Sequence, residues 1–170
     1  MSSKLKVRSD YDSSAFCYDT RYKALQWEKY EIMLSDIQLE GTILDLGCGT
    51  GLLHEFLKIT MVGIDISWEM LTHAPHRQVV QGDMDRLPFT ASVFDAVFSF
   101  TALQNLPSLE CVFGEVYRVL KPGHVFIFTI LSKKYTPSVC ELASVQFEIL
   151  EKRRCGEDTG FICLKSKEAL

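Results

Sequence analysis

The stretch Ile43-Leu44-Asp45-Leu46-Gly47-Cys48-Gly49-Thr50-Gly51 constrains this chain more than any other. An apolar strand-like run enters a loop in which glycine alternates with other residues, and a helical segment, Leu52 to Lys58, follows at once. Such glycines let the backbone turn sharply and let a ligand approach main-chain N–H groups with no Cβ in the way. Strand, tight loop and helix in that order open a βαβ unit, so a parallel sheet is expected.

The rest of the chain keeps that rhythm. After the first strand, Thr42 to Leu46, come Met61 to Ile66, Gln78 to Gln81, Phe94 to Phe100 and His124 to Ile130. Between them, Ser67 is a good N-cap for a helix at Trp68 to Leu71. Leu109 to Leu120 carries Val112, Val116, Val119 and Leu120 on one helical stripe and stops at Lys121-Pro122-Gly123. One or two aromatic-rich helices are expected from Tyr11 to Leu39. At the other end, Phe147 to Glu151 and Phe161 to Leu164 flank a turn at Gly156 to Gly160, which predicts a closing antiparallel hairpin. The link from Ser132 to Gln146 has room for one helix.

Composition narrows the function classes. A length of 170 residues suits a single domain, and a net charge of −4 argues against a DNA-binding surface. The short basic cluster Lys152-Arg153-Arg154 is flanked by acids and reads as a solvated strand or turn. No apolar run is long enough for a membrane span, and the N-terminus lacks the pattern of a signal peptide. The six cysteines form no metal-binding spacing, so free thiols in the cytoplasm are expected, with no metal.

Two ligand classes use a strand–glycine loop–helix opening. A dinucleotide-binding fingerprint, G-x-G-x-x-G, would need glycine at position 52, where this chain has Leu52. Asp45, at the tip of the first strand, would repel a pyrophosphate but would welcome a cation. S-adenosylmethionine carries a sulfonium and an ammonium and no phosphate, and it fits the loop better.

Over roughly residues 11 to 131 the chain resembles the class I S-adenosylmethionine-dependent methyltransferases, in the group of the ubiquinone/menaquinone and other small-molecule enzymes. The motifs are Asp45-x-Gly47-x-Gly49-x-Gly51, Val62-Gly63-Ile64-Asp65-Ile66-Ser67, Gly82-Asp83-Met84-Asp85, Phe94 to Phe100, and Tyr117 to Gly123. The resemblance implies an α/β fold: a Rossmann-like, mostly parallel seven-stranded sheet with helices on both faces and a C-terminal antiparallel hairpin. It implies one domain over 1–170, with an N-terminal helical lid (1–40), a cofactor-binding core (41–131) and a C-terminal helix and hairpin (132–170). It gives Asp65 the ribose hydroxyls, which two carboxylate oxygens can accept. Asp83 would take the adenine amino group, with Met84 beside it, and Ile66 an apolar face of the adenine. Phe100 would close the floor. Tyr11 and Tyr18 would fold over the methionine end, where an aromatic ring attracts a sulfonium and excludes water.

Methyl transfer needs alignment of a nucleophile more than it needs a base. The sequence assigns no catalytic residue: His54, His73, His76 and His124 read as structural or exposed. Thr101 and Gln104, after the fourth strand, are expected on the substrate side. Relatives often have histidines where Gln104 and Asn105 stand, so no proton shuttle carries over. The expected activity is methyl transfer to a small molecule, with a protein or RNA acceptor or a partner subunit left open. The alternatives are a catalytically silent cofactor-binding subunit and an NAD-binding domain.

Overall fold

The computed structural model describes residues 3–75 and 78–167. Seven strands form one sheet: β1 (Ile43–Leu46), β2 (Val62–Asp65), β3 (Val79–Gln81), β4 (Phe94–Phe100), β5 (Leu120–Leu131), β6 (Glu148–Cys155) and β7 (Asp158–Leu164). Their order is β3-β2-β1-β4-β5-β7-β6. The first five are parallel, and β7 runs antiparallel between β5 and β6. This is the α/β sheet expected from the sequence. The strand order reverses between β1 and β4, which opens a crevice at their carboxyl ends.

Five helices are α1 (Ser3–Leu34), α2 (Leu52–Leu57), α3 (Trp68–Thr72), α4 (Glu110–Val119) and α5 (Pro137–Ser144). Alternation along the strands splits the apolar interior in two. Leu44, Leu46, Val97, Phe126 and Phe128 face the side covered by α4 and α5, together with Val112, Val116 and Ala143. Ile43, Ala96, Phe98, Phe100 and Ile127 face the other side, under Tyr30, Met33 and Leu34 of α1 and Leu52 and Leu53 of α2. Each fully buried side chain of this size contributes about 1.5–3 kcal/mol of transfer free energy. Helices therefore cover both faces.

Local chemistry sets the element ends. Ser67 caps α3, its Oγ accepting from the Met70 N–H at 3.1 Å. Gly51 begins α2 at φ +83. α4 ends at Val119, and Leu120 already pairs with Phe94 in β5. The chain then crosses Lys121-Pro122-Gly123 within the strand, with Gly123 at φ +79 and a register shift opposite Phe94 and Ala96.

Two expectations need correction. The aromatic segment is one helix, and it begins at Ser3 and ends at Leu34 instead of running from Tyr11 to Leu39. Its first turns carry few apolar residues and are held by tertiary contacts, with Lys4 bonded to Asp83 and Asp85. The hairpin turn is two residues, Gly156-Glu157, because Cys155 already pairs with Asp158. Gly156 at φ +58 supplies the tight turn. Gly160 is a strand glycine whose missing Cβ makes room for α1; a Cβ there would fall 2.3 Å from Met33 Sδ. The basic cluster lies on β6, as anticipated, where Arg153 forks onto Asp36 at 2.7 and 2.9 Å.

Candidate functional site

At the carboxyl ends of β1, β2 and β4 lies a cleft of about 690 Å³, counting its open mouth. Gly47 and Gly49 form one wall, and Gly47 has φ +78. A Cβ on Gly47 would meet the Ala102 methyl at 2.6 Å. The loop must be glycine here to pass between β1 and the segment after β4.

The N–H groups of Gly47, Cys48, Gly49 and Gly51 are not free donors, contrary to the reading of the glycines as a main-chain cradle. Gly47 and Cys48 N–H donate to the Ile64 carbonyl at 2.8 and 3.1 Å, and Gly51 N–H donates to Cys48. Gly49 N–H donates to Asp65 Oδ2 at 2.9 Å. Four amides of the loop are thus taken up within the protein, and two carboxylates stand nearby, so the loop is a poor seat for a phosphate. Asp45 is 4% exposed, and burial together with the Asp65 charge pushes its carboxyl up to about 7. Burial also raises Asp65, whose backbone donors, Ser67 N–H (2.8 Å) and Gly49 N–H, work against that shift. A buried carboxylate with this cost welcomes a cation.

α1 lies along the whole cleft. Lys4 bonds Asp83 Oδ2 at 2.7 Å at one end. Tyr11 accepts from Asn105 Nδ2 at 2.9 Å, Asp12 accepts from Ser67 Oγ, and Asp19 accepts from Thr50 Oγ1 over the glycine loop. Tyr18 packs between Tyr11 and Tyr22 at ring-centroid distances of 6.3 and 4.9 Å. Burial raises the hydroxyls of Tyr11 and Tyr18, so both stay protonated phenols.

Of the residues singled out from sequence, Tyr11, Tyr18, Gly47, Gly49, Asp65 and Ile66 line this cleft. So do Asp83, Met84, Phe100 and Thr101. Asp45 lies beside it in a smaller adjoining cavity with Gly49, Thr50 and Tyr30. Gly51 lines neither and serves as the helix cap. Gln104 faces a separate, wider cavity that shares Tyr11, Tyr18, Thr101 and Asn105 with the cleft. Asp83 is engaged by Lys4, which no sequence pattern marked. His54 lies on α2, His73 caps α3 and His124 bonds the Asp95 carbonyl at 2.8 Å; His76 lies outside the described residues. Among the described residues no histidine lines either cavity, and no cluster of three metal-ligating side chains occurs.

Thr101 stands where the two cavities meet, in a left-handed conformation (φ +55) that a β-branched residue seldom adopts. Its backbone N–H and side chain are held from several directions. Thr101 N–H donates to Thr129 Oγ1 at 3.0 Å, its hydroxyl donates to Asp158 Oδ2 at 2.6 Å, and Lys29 Nζ donates to it at 2.8 Å. Lys29, Thr129 and Asp158 were not legible as site neighbours in the sequence.

Comparison with known proteins adds the family. A model described as a methyltransferase domain matches residues 44–128, half of the chain. The chain belongs to the methyltransferase-domain family, in the class I group whose methyl donor is S-adenosylmethionine. An uncharacterised protein of Methanocaldococcus jannaschii is 38% identical to this methyltransferase domain over 134 residues, 75% of the chain and 52% of the relative. The ubiquinone/menaquinone biosynthesis C-methyltransferase of Desulfotalea psychrophila is 33% identical, over 69% of the chain and 54% of its own length. The methyltransferase domain thus spans about half the length of the curated relatives it matches. In fold it is similar to a Haloferax volcanii methyltransferase solved in complex with the Trm112 methyltransferase activator. The TM-score is 0.79 at 19% identity, covering 92% of this chain and 97% of that one. No helix of the described residues is long and apolar enough to cross a membrane.

Proposed function

We propose that this chain binds S-adenosylmethionine in the cleft under α1 and transfers its methyl group to a small molecule entering from the wider cavity. The observation that carries the reading is Asp45. It is a carboxyl group 4% exposed, beside a loop whose three glycine N–H groups are already bonded within the protein, so the position favours a cationic ligand over a phosphate. Residues 1–170 act as one domain in this reading, with 1–40 as the lid, 41–131 as the cofactor core and 132–170 as the closing helix and hairpin.

Bound there, the cofactor supplies an activated methyl group. Asp45 faces its positive end, Asp65 accepts from its ribose hydroxyls, and Ile66 and Met84 flank the adenine. Asp83 accepts from the adenine amino group in exchange for Lys4. Tyr11, Tyr18 and Phe100 close the methionine end against water, while Gly47 and Gly49 leave it room. Thr101 and Gln104 face the acceptor. The six free cysteines favour a reducing, cytoplasmic setting.

A second reading is a cofactor-binding subunit that works with a partner, supported by the activator bound to the Haloferax volcanii neighbour. Incubation of the purified chain with methyl-labelled cofactor and separated small-molecule, protein and RNA fractions decides between them. Label in the small-molecule fraction with the chain alone is expected; label only after a cell extract supplies a protein partner would favour the second reading.

A further inference from the structure

The wider cavity, about 970 Å³ with its open mouth, has a chemistry of its own. Tyr11, Tyr18 and Tyr22 supply aromatic walls. Three cations line it, Arg21, Lys29 and Lys133, against one acid, Glu157. Lys29 is neutralised by Asp158 at 3.1 Å. Arg21 has only the face of Tyr22 beneath it, 5.3 Å from the ring centroid, and neither Arg21 nor Lys133 has a carboxylate partner among the described residues. The mouth therefore carries an excess of positive charge in a protein whose net charge is −4.

The inner end is different. Gln104 Nε2 donates to the Thr101 carbonyl, which fixes the amide and leaves Oε1 buried without a donor. Gln26, 5% exposed and lining the same cavity, has a second buried Oε1 with no donor. Buried amide oxygens left this way cost free energy until a donor reaches them. From these two ends we infer that the cavity takes an anionic, flat acceptor. Its carboxylate or equivalent anion meets Arg21 and Lys133 at the mouth, and an O–H or N–H at its other end donates to Gln104 Oε1 beside Thr101. Arg21 and Lys133 are specificity residues in this account, and Gln104 orients the acceptor's inner end. The inference rests on the proposed function, because it assigns this cavity to the acceptor.

The test uses three para-substituted phenols, 4-hydroxybenzoate, 4-hydroxybenzamide and tyramine, with benzoate as a control, titrated calorimetrically into the chain saturated with S-adenosylhomocysteine. We expect the hydroxybenzoate to bind at least tenfold more tightly than the amide, with tyramine weakest. The preference should shrink at high salt and vanish in the Arg21→Gln/Lys133→Gln double variant, whose S-adenosylhomocysteine affinity stays unchanged. Gln104→Leu should weaken the hydroxybenzoate but leave benzoate, which has no hydroxyl, unaffected. Equal binding of acid and amide, preference for tyramine, or no binding of the acid overturns the inference. Absence of S-adenosylhomocysteine binding in the first titration is a separate result, and it overturns the proposed function.

Discussion

Lys29 Nζ stands 3.1 Å from Asp158 Oδ1, a contact between the first helix and the last strand with side-chain exposures of 8% and 0%. Its hydrogen bond goes to Thr101 Oγ1, and the far oxygen of Asp158 accepts from Thr101 and Thr129 at 2.6 and 2.8 Å. Oδ1 itself has no hydrogen-bond donor, so the ammonium balances that oxygen by charge alone. One buried cation thus holds the lid helix, the acceptor-side threonine and the hairpin together.

Removing that cation should be expensive. Lys29→Met leaves a buried carboxylate without its counter-charge, a change that costs about 3–5 kcal/mol. Urea denaturation should show a loss of that size, and Lys29→Met/Asp158→Asn should recover most of it. A single variant as stable as the parent would mean that the pair contributes nothing.

Asp65 joins β2 to the glycine loop through Gly49 N–H and to α3 through Ser67 N–H. Asp65→Ala should weaken S-adenosylmethionine binding by about 1.5–3 kcal/mol, or roughly 10- to 150-fold in Kd. Calorimetry checks this, and an unchanged Kd would remove Asp65 from the site.

Asp45 gives a pH signature. Its carboxyl is raised to about 7, so near neutrality about half of the unliganded molecules hold a proton there, and more do below it. A cationic ligand binds the ionised form and expels that proton, so affinity should fall as pH drops below 7, by up to about tenfold per unit. Stability moves the other way: burial of the charge makes the unliganded protein lose stability as pH rises from about 4 to 7. Titrations at pH 6 and pH 8 should show tighter binding at pH 8 for the parent chain and weak, pH-independent binding for Asp45→Asn.

The lid should respond to Tyr18. Tyr18→Ala removes the ring between Tyr11 and Tyr22, so it should weaken cofactor binding about tenfold and speed proteolytic cleavage within the first 20 residues. Parent chain with cofactor should be cleaved more slowly than without it. If neither binding nor cleavage changes, α1 serves only as packing.

The sheet was legible because buried parallel strands leave continuous apolar runs, and Phe94–Phe100 matched its observed strand from end to end. The glycine loop and the acids at 45, 65 and 83 were legible for the same reason: each lies at or just past the carboxyl end of a strand that the pattern already places. The start of α1 was hidden because Lys4 and Val7 carry its first turns with almost no apolar stripe, and tertiary ion pairs decide the matter. The hairpin turn was misplaced because Gly160 looked like a turn glycine, whereas it clears space for Met33. Lys29 and Asp158 could not be paired from sequence. Nothing local distinguishes a buried lysine on a helix from a solvated one, and only the folded sheet brings them together.

The ligand of the glycine loop separates methyl transfer from dinucleotide chemistry. Calorimetry of the purified chain with S-adenosylmethionine and with NAD at pH 8 tests it most directly. One S-adenosylmethionine per chain with no NAD binding is the result expected from Asp45 and the occupied loop N–H groups; NAD binding without S-adenosylmethionine binding would contradict it.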